Sequence, residues 1–371
     1  MADPREALFL RLASRPIPRI ARMMAVVSEL GYVPRFAGAS RDASLPRQDT
    51  WEGIAIERIG RSFPLVNGRR PLTYLSGVLS FWWEAVRLIR ARRPALVHAS
   101  DVEAVVPSIV ACRLLGIPLV YNIHDNLAVR YVLPGSVRWV LNQVEGLCIR
   151  LSDVTLVPEP FRRDLLPSWA RSRVRVVRNA PEDPGFHPSE APREVPQVLF
   201  AGWLDWGRGL RDVLALARRG EIELVVAGEG DDDLQQEIRT TPNVTYVGFR
   251  NHREVIALTV ACDYVAAFYD PARTINRFAA SNKIAEALAV GRPVLINVEL
   301  EVAAGLRAAG AVISVPYSDI VSIGAELAAF RATPARYREA ARAARRHYET
   351  HYHSTTVREA SLEALREAGV R

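Results

Sequence analysis

Lysine is almost absent from this sequence: of 48 basic residues only Lys283 is lysine, and the other 47 are arginine. Those arginines are scattered through every segment rather than clustered, which argues against a dedicated nucleic-acid patch. Cysteine is scarce too, and Cys112, Cys148 and Cys262 form no CxxC pair. That excludes a disulfide scaffold and points to buried, reduced thiols and a cytoplasmic setting. Long hydrophobic runs are missing. The longest, "PLTYLSGVLSFWW" at 71–83, falls well short of the roughly 20 apolar residues of a spanning helix. The opening "MADPREALFLRLASR" lacks the basic-then-apolar layout of a signal peptide. No GxGxxG follows any expected strand, which disfavours a dinucleotide oxidoreductase.

What is present reads as two domains of one kind. A length of 371 residues suits two cores, and 49% hydrophobic with 24% charged residues is ordinary for a globular chain. The net charge of +7 favours anionic partners such as nucleotides, phosphates or anionic lipid. Seven short apolar runs in the first half, from "ALFL" to "RVRVVRN", alternate with helical-period segments. Six more follow in the second half, from "QVLFAG" to "AVISVP". Continuous rather than alternating Val/Leu/Ile runs predict parallel strands covered on both faces, hence α/β, doubly wound. The proline-rich segment 183–196 predicts a linker between a domain at 1–182 and a second at 197–348. The helical tail, about 349–371, is expected to pack back on the first domain. Two such domains facing across a cleft would each offer strand tips to a ligand.

The lone lysine sits in "SNKIAEALAVGRPVL", a helix expected to start near Ser281 and end at Gly291, with Ile284, Ala287 and Leu288 facing the core. A cation in a helix's first turn opposes the macrodipole unless an anion is held there. Exposed N–H groups plus Lys283 make a phosphate site, and Glu286, one turn on, is placed to accept from a ribose diol. The bland alternative is a Lys283–Glu286 pair on a solvated helix face. "FAGWLDWGRGL" puts Arg208 at another helix start, a second diphosphate contact or an ordinary surface arginine. The three aspartates of "VVAGEGDDD" read better as helix-start charges than as metal ligands. "YNIHDN" places His124 and Asp125 at a strand tip, as substrate contacts or as locally satisfied side chains. His347 and His351, spaced i, i+4, lack an acidic companion and are not read as a metal site. The segment 72–93 predicts a helix with Leu75, Val78, Leu79, Trp82, Val86 and Ile89 toward the sheet. Phe81, Trp83 and Leu88 lie off that stripe, near four arginines, so that peripheral contact with anionic lipid competes with simple packing.

In series these segments resemble glycosyltransferase family 4, retaining enzymes of the two-domain GT-B fold. The resemblance is carried by "PALVHASD", "IPLVYNIHD", "VRVVRNAP", "VLFAGWLDWGRGL", "LVVAGEG", "VTYVGF" and, most specifically, "SNKIAEALAVGRPVL". It implies transfer of a sugar from a nucleoside diphosphate to an acceptor hydroxyl, lipid-linked in one reading, with no metal or other cofactor. By position it implies Glu286 on the ribose, Lys283 and Arg208 on the diphosphate, and Gly202, Gly228, Gly248, Ser281, Asn282 and Ile284 lining the nucleotide. His124, with Asp125, would stand on the acceptor side near the sugar; His124, Lys283 and Arg208 would be the catalytic groups. Phe278 replaces a second Glu that the family often carries, Trp203 a phosphate-binding Arg, and "ASRPIPRI" a glycine-rich loop. The implied setting is bacterial surface polysaccharide, glycolipid or natural-product assembly, at the inner membrane face or in the cytoplasm. A nucleotide-sugar epimerase of the same fold and a non-catalytic partner subunit are the competing readings.

Overall fold

The apolar runs become strands because a sheet covered by helices on both faces buries most side chains along each strand, with His98 and Thr155 as fully buried polar exceptions. The structure is a computed structural model describing residues 5–40, 42–63, 71–130 and 133–370. It divides into two units, Met1–Val177 with Arg358–Arg371, and Arg178–Val357. Both are α/β.

The first unit holds β1 (Glu6–Arg11), β2 (Val33–Ala39), β3 (Gln48–Trp51), β4 (Ile54–Ile59), β5 (Leu96–Ser100), β6 (Leu119–Asn122), β7 (Val154–Val157) and β8 (Val174–Val176). They lie in the order β3-β4-β2-β1-β5-β6-β7-β8. Every pairing is parallel except β3 with β4. β3 is the one strand that hydrophobic runs do not predict. "QDTW" is polar and only half covered, and it pairs because Glu52 and Gly53, at φ 49° and 82°, turn the chain tightly back into β4.

The second unit holds β9 (Gln197–Ala201), β10 (Glu223–Ala227), β11 (Val244–Gly248), β12 (Tyr264–Ala267), β13 (Val294–Asn297) and β14 (Val312–Val315). The all-parallel order β11-β10-β9-β12-β13-β14 is the doubly wound pattern, and its direction reverses between β9 and β12. Ligands of such sheets sit at that reversal, beyond the strand C-termini.

The helix Pro71–Arg92 keeps most of the stripe its sequence suggests: Val78 and Ile89 are buried, and Trp82 and Val86 pack against the core. The buried face is shifted toward Phe81 and Ala85, however, and Leu75 and Leu79 stand in solvent. The small Gly77 decides this: a Cβ there would lie 2.3 Å from the Phe63 ring, so the helix can approach closely only on that side. The tail forms two helices, Pro334–His351 and Ser354–Glu367. Between Val177 and Gln197 there is no helix or strand, and Arg345 ties this segment to the second unit through Asp183 at 2.7 Å. Among the described residues no helix is long and apolar enough to cross a membrane.

Candidate functional site

In the second unit the loops leaving β9, β10 and β11 are laced together at the strand tips. Gly202 N donates to Ala227 O, Leu204 N to Glu229 O, and Gly228 N to Gly248 O, each at 2.8 or 2.9 Å. The three glycines expected at the nucleotide all have left-handed backbones: Gly202 at φ 125°, Gly228 at 147° and Gly248 at 71°. Close backbone approach requires glycine most stringently at Gly228, where a Cβ would sit 1.8 Å from Gly202 O.

The helix Asn282–Val290 begins beside these loops. Ser281 is its N-cap residue but makes no side-chain cap, and Gly291 ends it at φ 77°. Its first N–H groups therefore lack the usual side-chain acceptor. Lys283 and Glu286 are only 7% and 8% exposed, so they do not form an ion pair on a solvated face. The Lys283 ammonium makes no hydrogen bond to any described residue. It lies 4.3 Å from the centre of the Phe200 ring and 5.6 Å from that of Tyr269. The Arg208 guanidinium stands 5.7 Å from the same Tyr269 ring. Burial first, then the Arg208 charge, bring the Lys283 pKa down to about 7, with Glu286 opposing them. Glu286 in turn meets His252 Nδ1 at 3.4 Å. Two cations thus converge on one aromatic ring at an uncapped helix start, with no protein anion bonded to Lys283. That arrangement suits a phosphate or diphosphate.

In the first unit His124 follows β6. Arg19 Nε donates to Asn122 Oδ1 at 2.9 Å, which turns the Asn122 amide NH₂ toward His124 Nε2 at 3.2 Å. Nε2 must therefore accept, leaving the ring proton on Nδ1. Burial and the charges of Arg11, Arg19 and Arg130 hold this imidazole well below its ordinary pKa, so it is neutral near pH 7. Its backbone N–H donates to Asp101 Oδ1 at 3.0 Å. Asp101 has φ 64° and ψ 168°, a region that costs a non-glycine residue on the order of 1–3 kcal/mol. The strained turn lets one carboxylate hold the His124 backbone and stand 3.5 Å from both Arg11 and Arg130. Asp125 is taken up by Arg162 at 3.3 Å.

A family model described as Glycosyltransferase Family 4 matches residues 23–183, and one described as Glycosyl transferases group 1 matches residues 196–320. The chain belongs to the family 4-type glycosyltransferases. Among solved structures it is similar to sucrose-phosphate synthase from Thermosynechococcus elongatus, at 15% identity over 98% of each chain and a TM-score of 0.77. Anabaena HepE, in complex with UDP and glucose, matches at 16% identity over 98% of this chain and 99% of that one, TM-score 0.73. Trehalose 6-phosphate synthase from Burkholderia multivorans matches at 12% identity over 99% and 97%, TM-score 0.66. These likenesses establish the GT-B fold. No curated protein sequence matches significantly.

In this glycosyltransferase one expected site residue goes elsewhere. The Ile284 side chain is buried in the hydrophobic core with Ala287 and Leu288, because one residue past Lys283 the helix has turned away from the strand tips. Asp231, first of the three aspartates, caps the next helix by accepting from Asp233 N and Leu234 N. Phe200, Tyr269, His252, Asp101 and Asn122 were not singled out from the sequence. The first two read as ordinary core residues on buried strands. His252 did leave a signal: Asn251 and Glu254 form a capping box, which fixes His252 as the first residue of its helix. Trp203, where the family has an arginine, is 59% exposed.

Proposed function

We propose that the protein is a retaining hexosyltransferase that moves a sugar from a nucleoside diphosphate to an acceptor hydroxyl without a metal. The observation that carries this reading is the unbonded, buried Lys283 ammonium at a helix start, joined by Arg208 around Tyr269. In that role Lys283, Arg208 and the N–H groups after Ser281 neutralise the charge that grows on the leaving diphosphate. Glu286 accepts from the ribose hydroxyls, and the backbone around Gly202, Gly228 and Gly248 passes close to the nucleotide. His124, neutral with its proton on Nδ1, donates to a sugar hydroxyl. Surface polysaccharide, glycolipid or natural-product glycosylation is the setting this chemistry serves. Because HepE was solved with UDP and glucose, UDP-glucose is the first donor to try.

Calorimetric titration with UDP tests the site. Glu286→Ala removes an acceptor for two charge-assisted hydrogen bonds and should weaken UDP binding by about 10²-fold. Wild-type affinity in that variant would remove the ribose assignment. Transfer should be unchanged by EDTA, and an EDTA-sensitive rate restored by added Mg²⁺ would reject the metal-free reading. Conversion of donor to its epimer without acceptor would assign the chain to epimerases instead.

A further inference from the structure

Three adjacent helices of the first unit leave apolar side chains in solvent that its core does not use. On the helix Pro71–Arg92 these residues fall on one stripe at spacings of three and four: Leu72, Leu75, Leu79 and Trp83. Leu72 is 80% and Trp83 67% exposed. The stripe continues into exposed Arg87 and Arg90. The helix Gly135–Leu151 repeats the pattern with Val137, Val140, Val144 and Leu147, again with an exposed tryptophan, Trp139. The helix Val102–Leu115 packs against both and adds Val110 and Leu114.

Charge on this layer is predominantly positive. Arg87, Arg90, Arg113, Arg138 and Arg150 are exposed. The acidic side chains near them are fewer and engaged: Glu84 pairs with Arg87 at 3.7 Å, Asp153 with Arg113 at 3.5 Å and Glu103 with Arg130 at 2.7 Å, while Glu145 is buried. We propose that this helical layer docks on the surface of an anionic lipid bilayer, its leucines, valines and two tryptophans entering the headgroup boundary while the arginines meet lipid phosphates. Tryptophan at an apolar–polar boundary and arginines that can extend to a phosphate plane are the composition an interfacial face needs. A second copy of the chain fits less well, since a two-fold contact would set arginine-bearing faces against each other. The inference does not use the nucleotide site, so the two can fail separately.

The test is co-sedimentation of the full chain with vesicles of phosphatidylcholine containing about one-third phosphatidylglycerol, against phosphatidylcholine alone. Expected are binding to the anionic vesicles that weakens with salt, and little binding to the neutral ones. Leu75→Ser/Leu79→Ser/Trp83→Ser and, separately, Arg87→Glu/Arg90→Glu should each lower binding about tenfold or more. These side chains lie outside the buried stripe, so circular dichroism should be unchanged. A second measurement needs no change in binding: brominated lipids should quench tryptophan emission, and Trp83→Phe or Trp139→Phe should each remove part of that quenching. Absence of binding to anionic vesicles, or binding that survives both sets of substitutions, would overturn the proposal. So would a dimer in light scattering that the same substitutions dissociate, since that would name a second copy as the occupant.

Discussion

Lys283→Met should make the protein more stable and far less active. The wild-type ammonium is buried against Phe200 and Tyr269 without a hydrogen bond, beside a second cation. Leaving a buried polar group unsatisfied costs about 1–3 kcal/mol. Methionine fills a similar volume, packs on the same rings and removes that cost, so the melting temperature should rise by a few degrees. Sugar transfer should fall by roughly 10²–10³, as for loss of one donor aimed at developing negative charge. Lys283→Arg should also transfer poorly, because a broad guanidinium cannot take the place of a compact ammonium between two rings. A less stable or fully active Lys283→Met would each contradict the role.

The same group sets a pH dependence whose sign can be worked out. Unfolded, Lys283 titrates near 10.4; folded, at about 7. Between these values the unfolded chain binds the extra proton, so stability rises with pH from about 7 to about 10. Below about 7 both states are protonated and the full cost is present. Lys283→Met should lose this component of the slope. An anion at the helix start favours the ammonium again, so donor binding above pH 7 should take up a proton. Calorimetry in buffers of different ionisation enthalpy reads that uptake, and its absence would separate Lys283 from the diphosphate.

Gly228→Ala should be the most damaging single-methyl substitution at the strand tips, and Gly248→Ala a mild one. Both glycines are left-handed, so each substitution strains the backbone by about 1 kcal/mol. Only at Gly228 does the new carbon also collide, 1.8 Å from Gly202 O and 2.9 Å from its carbonyl carbon. At Gly248 nothing lies within 4 Å. The collision cannot relax by a rotamer change, because both partners are backbone. It must part the loops after β9 and β10, breaking the bonds from Gly202 N and Leu204 N. Gly228→Ala should therefore cost about 3 kcal/mol or more and abolish UDP binding, whereas Gly248→Ala should cost about 1 and keep it. Denaturant midpoints of the two variants, compared side by side, decide the matter.

Most of the fold was legible because buried parallel strands advertise themselves as unbroken Val/Leu/Ile runs. β3 was not, since two left-handed residues rather than apolar content make it a strand. On the helix Pro71–Arg92 the stripe was only partly right for a related reason: Leu75 and Leu79 are as apolar as the buried residues, and the turn of the face toward Phe81 was decided by Gly77 against Phe63. At the site, Lys283 and Glu286 could be placed on one helix start from spacing alone. Phe200 and Tyr269 could not, because an aromatic wall and a core aromatic have the same sequence signature. Asp101 was hidden for a different reason: its role depends on a backbone angle, and no residue pattern reports that angle.

The assignment of residues 358–371 to the first unit bears on how the chain is made. Leu362, Ala364 and Leu365 are buried there, so the unit whose residues come earlier in the sequence lacks part of its interior until residues 358–371 have emerged from the ribosome. The second unit, continuous from Arg178 to Val357, has all its residues sooner. A nascent chain stalled short of residue 358 would thus carry one complete unit and one with an open apolar seam, a form suited to chaperone capture or proteolysis rather than to release.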